Sequence, residues 1–466
     1  MERNYEEIYH TQPEQVKLLP ERVWMDVLLK DEISQLVSVC NKPKAMDQIF
    51  KDVRKQYRIK KSDSTLYRFF KTLIKEQVIL EVGNRVFFDK RVGKRLFVTA
   101  GDILAFTSTK DSLLKGEQGD IIAEGLGYLI NHNFNYRKPN SAALNEFLQN
   151  IEASIDETRL ELQKKVIDNA KRDEDKDIKV LQYKRLYKRI KSLQILEYYT
   201  FYTFLGIIYN LLNLKMEVFV QEFEKCFFDT REIITEEKSE TSPLDIIKWS
   251  PELIKIVDTK IFKLLFNKKH ASMIIMRLMR TGPKTIQDIY EMQNSDHEQL
   301  SNLDRTGYKK KEKNTIYKNI QELIKHGFVV EAGKRVIPHQ STSQILYGRR
   351  AELYVIRDRR IELLQSKSRQ AKNILELIGE IVQLEKGTKN FDKAQFMTEI
   401  QRFVGNLYEI IEKTMKKNKN PKIREILFEY KTINESRTFA FMTGLTAWIL
   451  DNNLGEFQGQ IEKCFV

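Results

Sequence analysis

Proline is scarce in this chain, with 9 in 466 residues beside 19 glycines. So few breakers exclude a collagen-like or Pro-rich disordered chain and favour long helices with short connections. Cysteine is scarcer: Cys40, Cys226 and Cys464 lie far apart and form no C-x-x-C pair. That excludes a disulfide-stapled scaffold and an all-cysteine zinc site, and it fits a reducing, cytoplasmic setting. The 6 histidines show no metal-ligand spacing, so no metal or other cofactor is expected. No P-loop, nucleophile elbow or catalytic carboxylate pair stands out, so the chain is not read as an enzyme. The polar, acidic start MERNYEEIYH lacks the character of a secretory signal. The uncharged stretch Tyr198–Leu214 holds Asn210, Asn213, four tyrosines and two threonines. It falls short of the ~20 apolar residues a membrane span requires, reads as a buried bundle helix, and implies no membrane partner.

What the chain does have is positive charge and enough apolar residues for proper cores. It carries 79 Lys and Arg against 65 Asp and Glu, a net charge of +14, with 41% hydrophobic residues. The charge points to a polyanionic partner, nucleic acid before an anionic membrane surface. The length suits two to four domains.

The chain also repeats itself. Ser64–Val86 (STLYRFFKTLIKEQVILEVGNRV) aligns without a gap with Asn314–Val336 (NTIYKNIQELIKHGFVVEAGKRV), and 9 of the 23 positions are identical. Chance supplies about one or two at ordinary residue frequencies. Lys42–Phe50 mirrors Gly282–Tyr290 at an offset of 240, so the second copy holds about ten extra residues, placed in the polar stretch Asn294–Lys310. Phe223–Phe227 mirrors Ile461–Phe465, and Gly206 mirrors Gly444, at an offset of 238. Each repeat is therefore roughly 210 residues.

Within each copy the spacing predicts three helices and a hairpin. The first helices are read over Glu32–Cys40 and Ala271–Thr281, each ended by a following proline. The second are read over Ala45–Lys55 and Thr285–Met292. Ser62 and Asn314 are read as caps of the third. Leu66, Phe69 or Phe70, Leu73 and Ile74 form its core face, and only one of the two phenylalanines fits there easily. Val78–Val82 and Arg85–Phe88 then alternate around Gly83-Asn84, read as a two-residue turn matched by Gly333-Lys334. Ala143–Lys191, Asn390–Lys416 and Pro421–Leu450 read as long amphipathic helices, with coiled-coil pairing possible for the first.

The segment Ser62–Ile79 resembles the recognition helix and following strand of prokaryotic winged helix-turn-helix regulators of the ArsR-like kind, which carry an S-x-S-T-apolar-x-R-x-apolar-K-x-L pattern. The second copy matches the exit better, with His326-Gly327-Phe328-Val329 where the first has Gln77. The resemblance covers the segments near Val23–Phe106 and Lys260–Ile356, not the helical extensions. It implies that the exposed face of the third helix enters the DNA major groove and the wing lies along the backbone or minor groove. By position, the readers are Ser64, Tyr67, Arg68 and Lys71, and Asn314, Tyr317, Lys318 and Gln321. No cysteine pair accompanies them, so metal sensing is not implied.

The expected fold is mainly α: two winged-helix domains, each three helices plus a hairpin wing, each followed by a helical bundle or coiled-coil region. The boundaries are an N-terminal arm at 1–20, winged helix 1 at 21–108 and helical region 1 at 109–228. A linker at 229–256 then leads to winged helix 2 at 257–356 and helical region 2 at 357–466.

The residues themselves have the chemistry of DNA reading. Arg68 and Lys318 occupy aligned positions suited to guanine edges or phosphates. Ser64, Thr65, Asn314 and Thr315 lie in the first turn, where they either reach the DNA or cap the helix. Tyr67 and Tyr317 either bond a phosphate or pack on a neighbouring helix. A basic run precedes each third helix: Arg58, Lys60 and Lys61 in one copy, Lys309, Lys310, Lys311 and Lys313 in the other. The helix dipole opposes cations there, which points to a phosphate partner, a solvated loop being the plainer account. Arg85 and Arg335 flank the expected turn, with Asn84 and Lys334 at its tip. Minor-groove insertion and a salt bridge to Glu81 or Glu331 are both open to the arginines. In the basic segment Lys184–Lys191, a solvated bundle face outweighs a second binding surface.

The expected function is a transcription regulator that reads two unlike half-sites of double-stranded DNA with one pseudo-dimeric chain. The rival is a tandem winged-helix scaffold of a membrane-sorting or basal transcription assembly, without sequence-specific DNA binding.

Overall fold

The computed structural model describes residues 5–20, 23–28, 30–87, 93–107, 112–134, 137–172, 177–231, 245–262, 264–265, 275–276, 278–279, 282–295, 312–336, 343–418, 420, 422–429 and 433–465. The chain is mainly helical, with small sheets.

In the first copy, β1 (Tyr5–Tyr9) and β2 (Glu14–Pro20) precede α1 (Asp31–Val39), β3 (Lys44–Ala45), α2 (Met46–Tyr57) and α3 (Asp63–Lys75). β4 (Ile79–Phe87), β5 (Lys94–Thr99) and β6 (Gly101–Thr107) follow. Four helices come next: α4 (Glu117–Ile130), α5 (Ser141–Ala170), α6 (Ile178–Lys191) and α7 (Ile195–Asn213), then α8 (Met216–Glu224). Strands β7 (Arg137–Pro139) and β8 (Phe227–Arg231) pair across this region.

The second copy opens with β9 (Asp245–Ile247) and β10 (Glu252–Val257), then α9 (Ile286–Ser295), α10 (Lys313–Lys325), β11 (Val329–Val336), β12 (Ser343–Arg349) and β13 (Ala351–Ile356). Its helical part comprises α11 (Arg359–Gln365), α12 (Arg369–Lys386), α13 (Lys393–Lys417), α14 (Lys422–Glu429), α15 (Ile433–Trp448) and α16 (Leu454–Glu462). The expected helix Ala271–Thr281 falls largely outside the described residues.

One sequence expectation is corrected here. Gly83-Asn84 is not a turn: Ile79–Phe87 is one strand whose antiparallel partner is Lys94–Thr99, and Gly333-Lys334 likewise sits within β11. Both glycines mark a register shift, after Glu81 and Glu331. Glycine is needed because another strand lies against it. A Cβ on Gly83 would meet the Ile8 carbonyl oxygen at 2.1 Å, and one on Gly333 the Ile246 carbonyl oxygen at 2.1 Å.

Those neighbours belong to the segments set apart in the sequence as an arm and a linker. The N-terminal arm is structured: β1 pairs antiparallel with β4, and β2 pairs in parallel with β6. In the same way the end of the expected linker pairs with the second copy, β9 on β11 and β10 on β13. Each copy thus borrows two strands from upstream sequence, one for each of two sheets.

Gln77 adopts φ 55°, the left-handed conformation that Gly327 adopts at φ 70° in the aligned position. A side chain there is opposed by roughly 1–2 kcal/mol. Gln77→Gly, after its larger unfolded-state entropy is offset, should raise stability by about 0.5–1 kcal/mol. A urea midpoint at or below that of the wild type would count against this.

The two helical regions pack on each other reciprocally: α7 lies on α12, and α15 lies on α4. Lys165 bridges Glu385 at 2.6 Å, Arg189 bridges Glu380 at 2.7 Å, and the Gln458 amide donates to the Leu211 and Leu214 carbonyls. Reciprocal contacts between like elements are what a two-fold pairing produces. A Cβ on Gly206 would lie 2.8 Å from the Ile155 carbonyl oxygen, and one on Gly444 2.9 Å from that of Leu407, so both helix crossings require bare backbone. One core joins the first copy to both helical regions, while α9, α10 and β11 of the second copy share a separate core around Ile289, Ile316, Ile320 and Phe328. The Tyr198–Leu214 stretch lies in α7, most of which is buried in that shared core. Among the described residues no single helix is long and apolar enough to cross a membrane; α7 and α8 pass only as a pair bent by 98°.

Candidate nucleic-acid interface

Helix α3 turns Leu66, Phe70 and Leu73 into the core. Phe70 is the fully buried member of the aromatic pair, 5.0 Å edge-on to Phe97, while Phe69 is half-buried against the same core. The helical period then leaves Ser64, Tyr67, Arg68 and Lys71 in one exposed stripe, at i, i+3, i+4 and i+7. Helix α10 buries Ile316, Ile320 and Leu323 and exposes Asn314, Tyr317, Lys318 and Gln321. The two stripes use the same four positions. Each tyrosine is exposed, Tyr67 at 42% and Tyr317 at 46%.

The first turns differ. Ser62 caps α3, its hydroxyl accepting from the Thr65 N–H and lying 3.0 Å from both the Ser64 and Thr65 hydroxyls. Thr65 is therefore half-buried and engaged in the cap. In the second copy the N-cap is Glu312, not Asn314, with no side-chain cap bond. Thr315 is exposed, and Asn314 is a free-standing member of the stripe. An acidic residue at that end suits the dipole and stands where Ser62 stands in the first copy.

The basic run is split by the structure. Arg58, in a left-handed conformation, ends α2, and with Lys60 it projects from the loop into solvent. Lys61 is also exposed and lies 3.4 Å from Glu32. Lys313 extends over the Tyr290 ring at 5.2 Å. Lys309, Lys310 and Lys311 lie outside the described residues. Lys71 stacks on Tyr67 at 4.9 Å. Among the described residues, Arg58, Lys60, Arg68, Lys318 and Lys334 have no ion-pair partner.

Arg85 and Arg335 are the clear failures of the sequence reading. Arg85 is buried, donates to Glu7 at 2.6 and 2.9 Å and to Gln48 at 3.1 Å, and lies under the Tyr5 ring. Arg335 donates to Asp245 at 2.7 Å and Asp288 at 2.8 Å. The hydrogen bonds to Asp245 hold its guanidinium above the ordinary value. Both arginines are engaged by acidic partners within the protein, and neither pairs with Glu81 or Glu331; Glu81 takes Arg95 instead, at 3.2 Å. The arginines clamp the borrowed strand and the second helix to the hairpin. The hairpin tips, beyond Phe87 and Val336, lie outside the described residues, so Asn84 and Lys334 are mid-strand. Lys94 hydrogen-bonds Asp47 at 2.7 Å and holds that carboxyl below its usual range.

The clamp partners Glu7, Gln48, Asp245 and Asp288 went unread, although a signal existed. Pro13-Glu14 and Lys17 recur as Pro251-Glu252 and Lys255 at the offset of 238 that the C-terminal match already shows. Among the described residues, no three His, Cys, Asp or Glu side chains converge as metal ligands. No protein-family model matches the chain, and a search of curated proteins finds no match either.

Proposed function

We propose that this chain is a DNA-binding transcription regulator in which two winged helices, carried by paired helical regions, read two unlike half-sites of one duplex. The observation that carries the reading is the duplicated exposed stripe. Two helices of equal length turn the same four positions outward, each with a tyrosine and a cation that lacks an ionic partner among the described residues. The net charge of +14 supports a polyanionic ligand. Three buried free thiols are in keeping with a reducing cytoplasm. Reciprocal packing of the helical regions supports a monomer that works as a dimer, with half-sites about one helical turn, ~34 Å, apart.

Selection of bound sequences from random duplexes tests this. The expected product is an imperfect palindrome, because Arg68 faces Lys318 and Lys71 faces Gln321 across the repeat. Recovery of no common sequence would sink the proposal. One observation favours the scaffold reading: Ile246, Val336 and Ile345 are exposed together on the second copy's hairpin sheet, at 57%, 44% and 38%. Exposed branched apolar side chains suit a protein partner better than a phosphate backbone, and the exposed Lys334 stands in register between Ile246 and Ile345 on the same face. Retained partner binding with no sequence enrichment would establish that reading instead.

A further inference from the structure

Between α2 and α3 of the first copy lies an open groove of about 570 Å³, lined by Met46, Phe50, Lys51, Arg54, Ser64 and Tyr67 among others. Its base is apolar. Phe50 is 7% exposed and packs edge-on against Phe70 at 6.0 Å, so the floor is anchored in the core. Its rim is polar and of mixed charge: Lys51 is exposed, Asp47 is paired with Lys94 at 2.7 Å, and Arg54 is fixed by Asp63 at the start of α3. Ser64 and Tyr67 belong both to the groove and to the exposed stripe, so a ligand lying along the stripe also covers the groove.

The second copy treats this place differently. Aligned positions put Tyr290 where the first copy has Phe50 and Lys313 where it has Asp63, and the lysine extends over the tyrosine ring at 5.2 Å. One copy offers an apolar recess whose two neighbouring acids, Asp47 and Asp63, are each paired with a cation. The other offers a cation stacked on an aromatic ring.

We propose that the first copy reads the 5-methyl group of thymine in this groove, whereas the second copy, with Lys313 in that place, reads no methyl there. The inference rests on the DNA-binding reading above and names what one head recognises. The ligand that fits must be anionic along its length, to meet Lys51, Arg68 and Lys71, and apolar where it enters between Met46 and Tyr67. In the major groove the thymine methyl is the one apolar group that base edges present. The groove is roomier than a methyl requires and admits the pyrimidine edge that bears it, with the Tyr67 ring as one wall. RNA fits poorly, because it lacks the methyl and its major groove is deep and narrow.

The test uses the full-length protein and the duplex it selects. Each thymine is replaced in turn by deoxyuracil, which removes the methyl and keeps the pairing. Affinity should fall about fourfold at one or two positions of a single half-site, the worth of one methyl taken out of water. The other half-site should not respond. Tyr67→Ala should bind more weakly and lose the discrimination between thymine and deoxyuracil. Equal affinity for both bases throughout a site that is still selected by sequence overturns the methyl assignment and leaves the DNA reading standing. Discrimination that survives in Tyr67→Ala overturns the assignment to this groove. Failure to select any site overturns both.

Discussion

Replacing Arg68, Lys71 and Lys318 together with alanine should lower affinity for the selected duplex on the order of 10²–10³-fold at about 0.1 M salt. The slope of log affinity against log salt should flatten by roughly two to three. All three side chains stand in the exposed stripes, and Arg68 and Lys318 have no ion-pair partner among the described residues. Their charge is therefore uncommitted in the free protein and available to displace counterions on binding. Folding should hardly notice, since substitutions at exposed positions away from special features usually fall within about ±0.5 kcal/mol. Arg85 and Arg335 provide the internal control. Changing either should reduce stability through the lost clamp and leave the salt slope as it was. Gel-shift titrations between about 50 and 200 mM salt read both quantities. Affinity and slope equal to those of the wild type would remove the stripes from any DNA interface.

The stripes were legible in the sequence because periodicity is local. Leu66, Phe70 and Leu73 define the buried face of α3, and the remaining positions follow from 3.6 residues per turn. The match of Gly206 with Gly444 was legible too, but that both sit at helix crossings is shown only by the structure. Arg85 was misread because its partners are distant in sequence. Glu7 lies 78 residues away and Gln48 37, and nothing near Arg85 shows that an N-terminal strand will close over it. Gly83-Asn84 imitates a hairpin turn because a bulge and a turn ask for the same residues. What separates them is a third strand against the glycine, and that is tertiary information. The difference between the two α2–α3 surfaces was equally hidden. Asp63 draws no reading from the sequence and Lys313 reads only as part of the basic run, whereas in the structure one neutralises Arg54 and the other covers Tyr290.

Replacing Arg159 with isoleucine should destabilise the protein by about 3–5 kcal/mol, the usual penalty for stripping one member from a buried ion pair. Arg159 on α5 is paired with Asp156, and the two side chains are 3% and 4% exposed. The guanidinium also lies over the Phe106 ring at 4.1 Å and the Tyr202 ring at 4.8 Å. Without it the buried Asp156 carboxylate loses the guanidinium that lies against it. The second copy shows that the position itself does not demand an arginine. Gly206 approaches the Ile155 carbonyl and Arg159, and Gly444 approaches the Leu407 carbonyl and Ile411 in the same geometry, so Ile411 is the counterpart of Arg159. Tyr408, three residues before it, stands where Asp156 stands. An apolar residue fills that place once the acid is gone. Asp156→Leu combined with Arg159→Ile should therefore return to within about 1 kcal/mol of the wild type, because a well-packed apolar pair replaces a buried ionic one at little net change. Urea midpoints compared at constant slope measure all three proteins. Equal midpoints for the single and double variants would mean that the loss comes from arginine packing on Phe106 and Tyr202 and not from the orphaned charge.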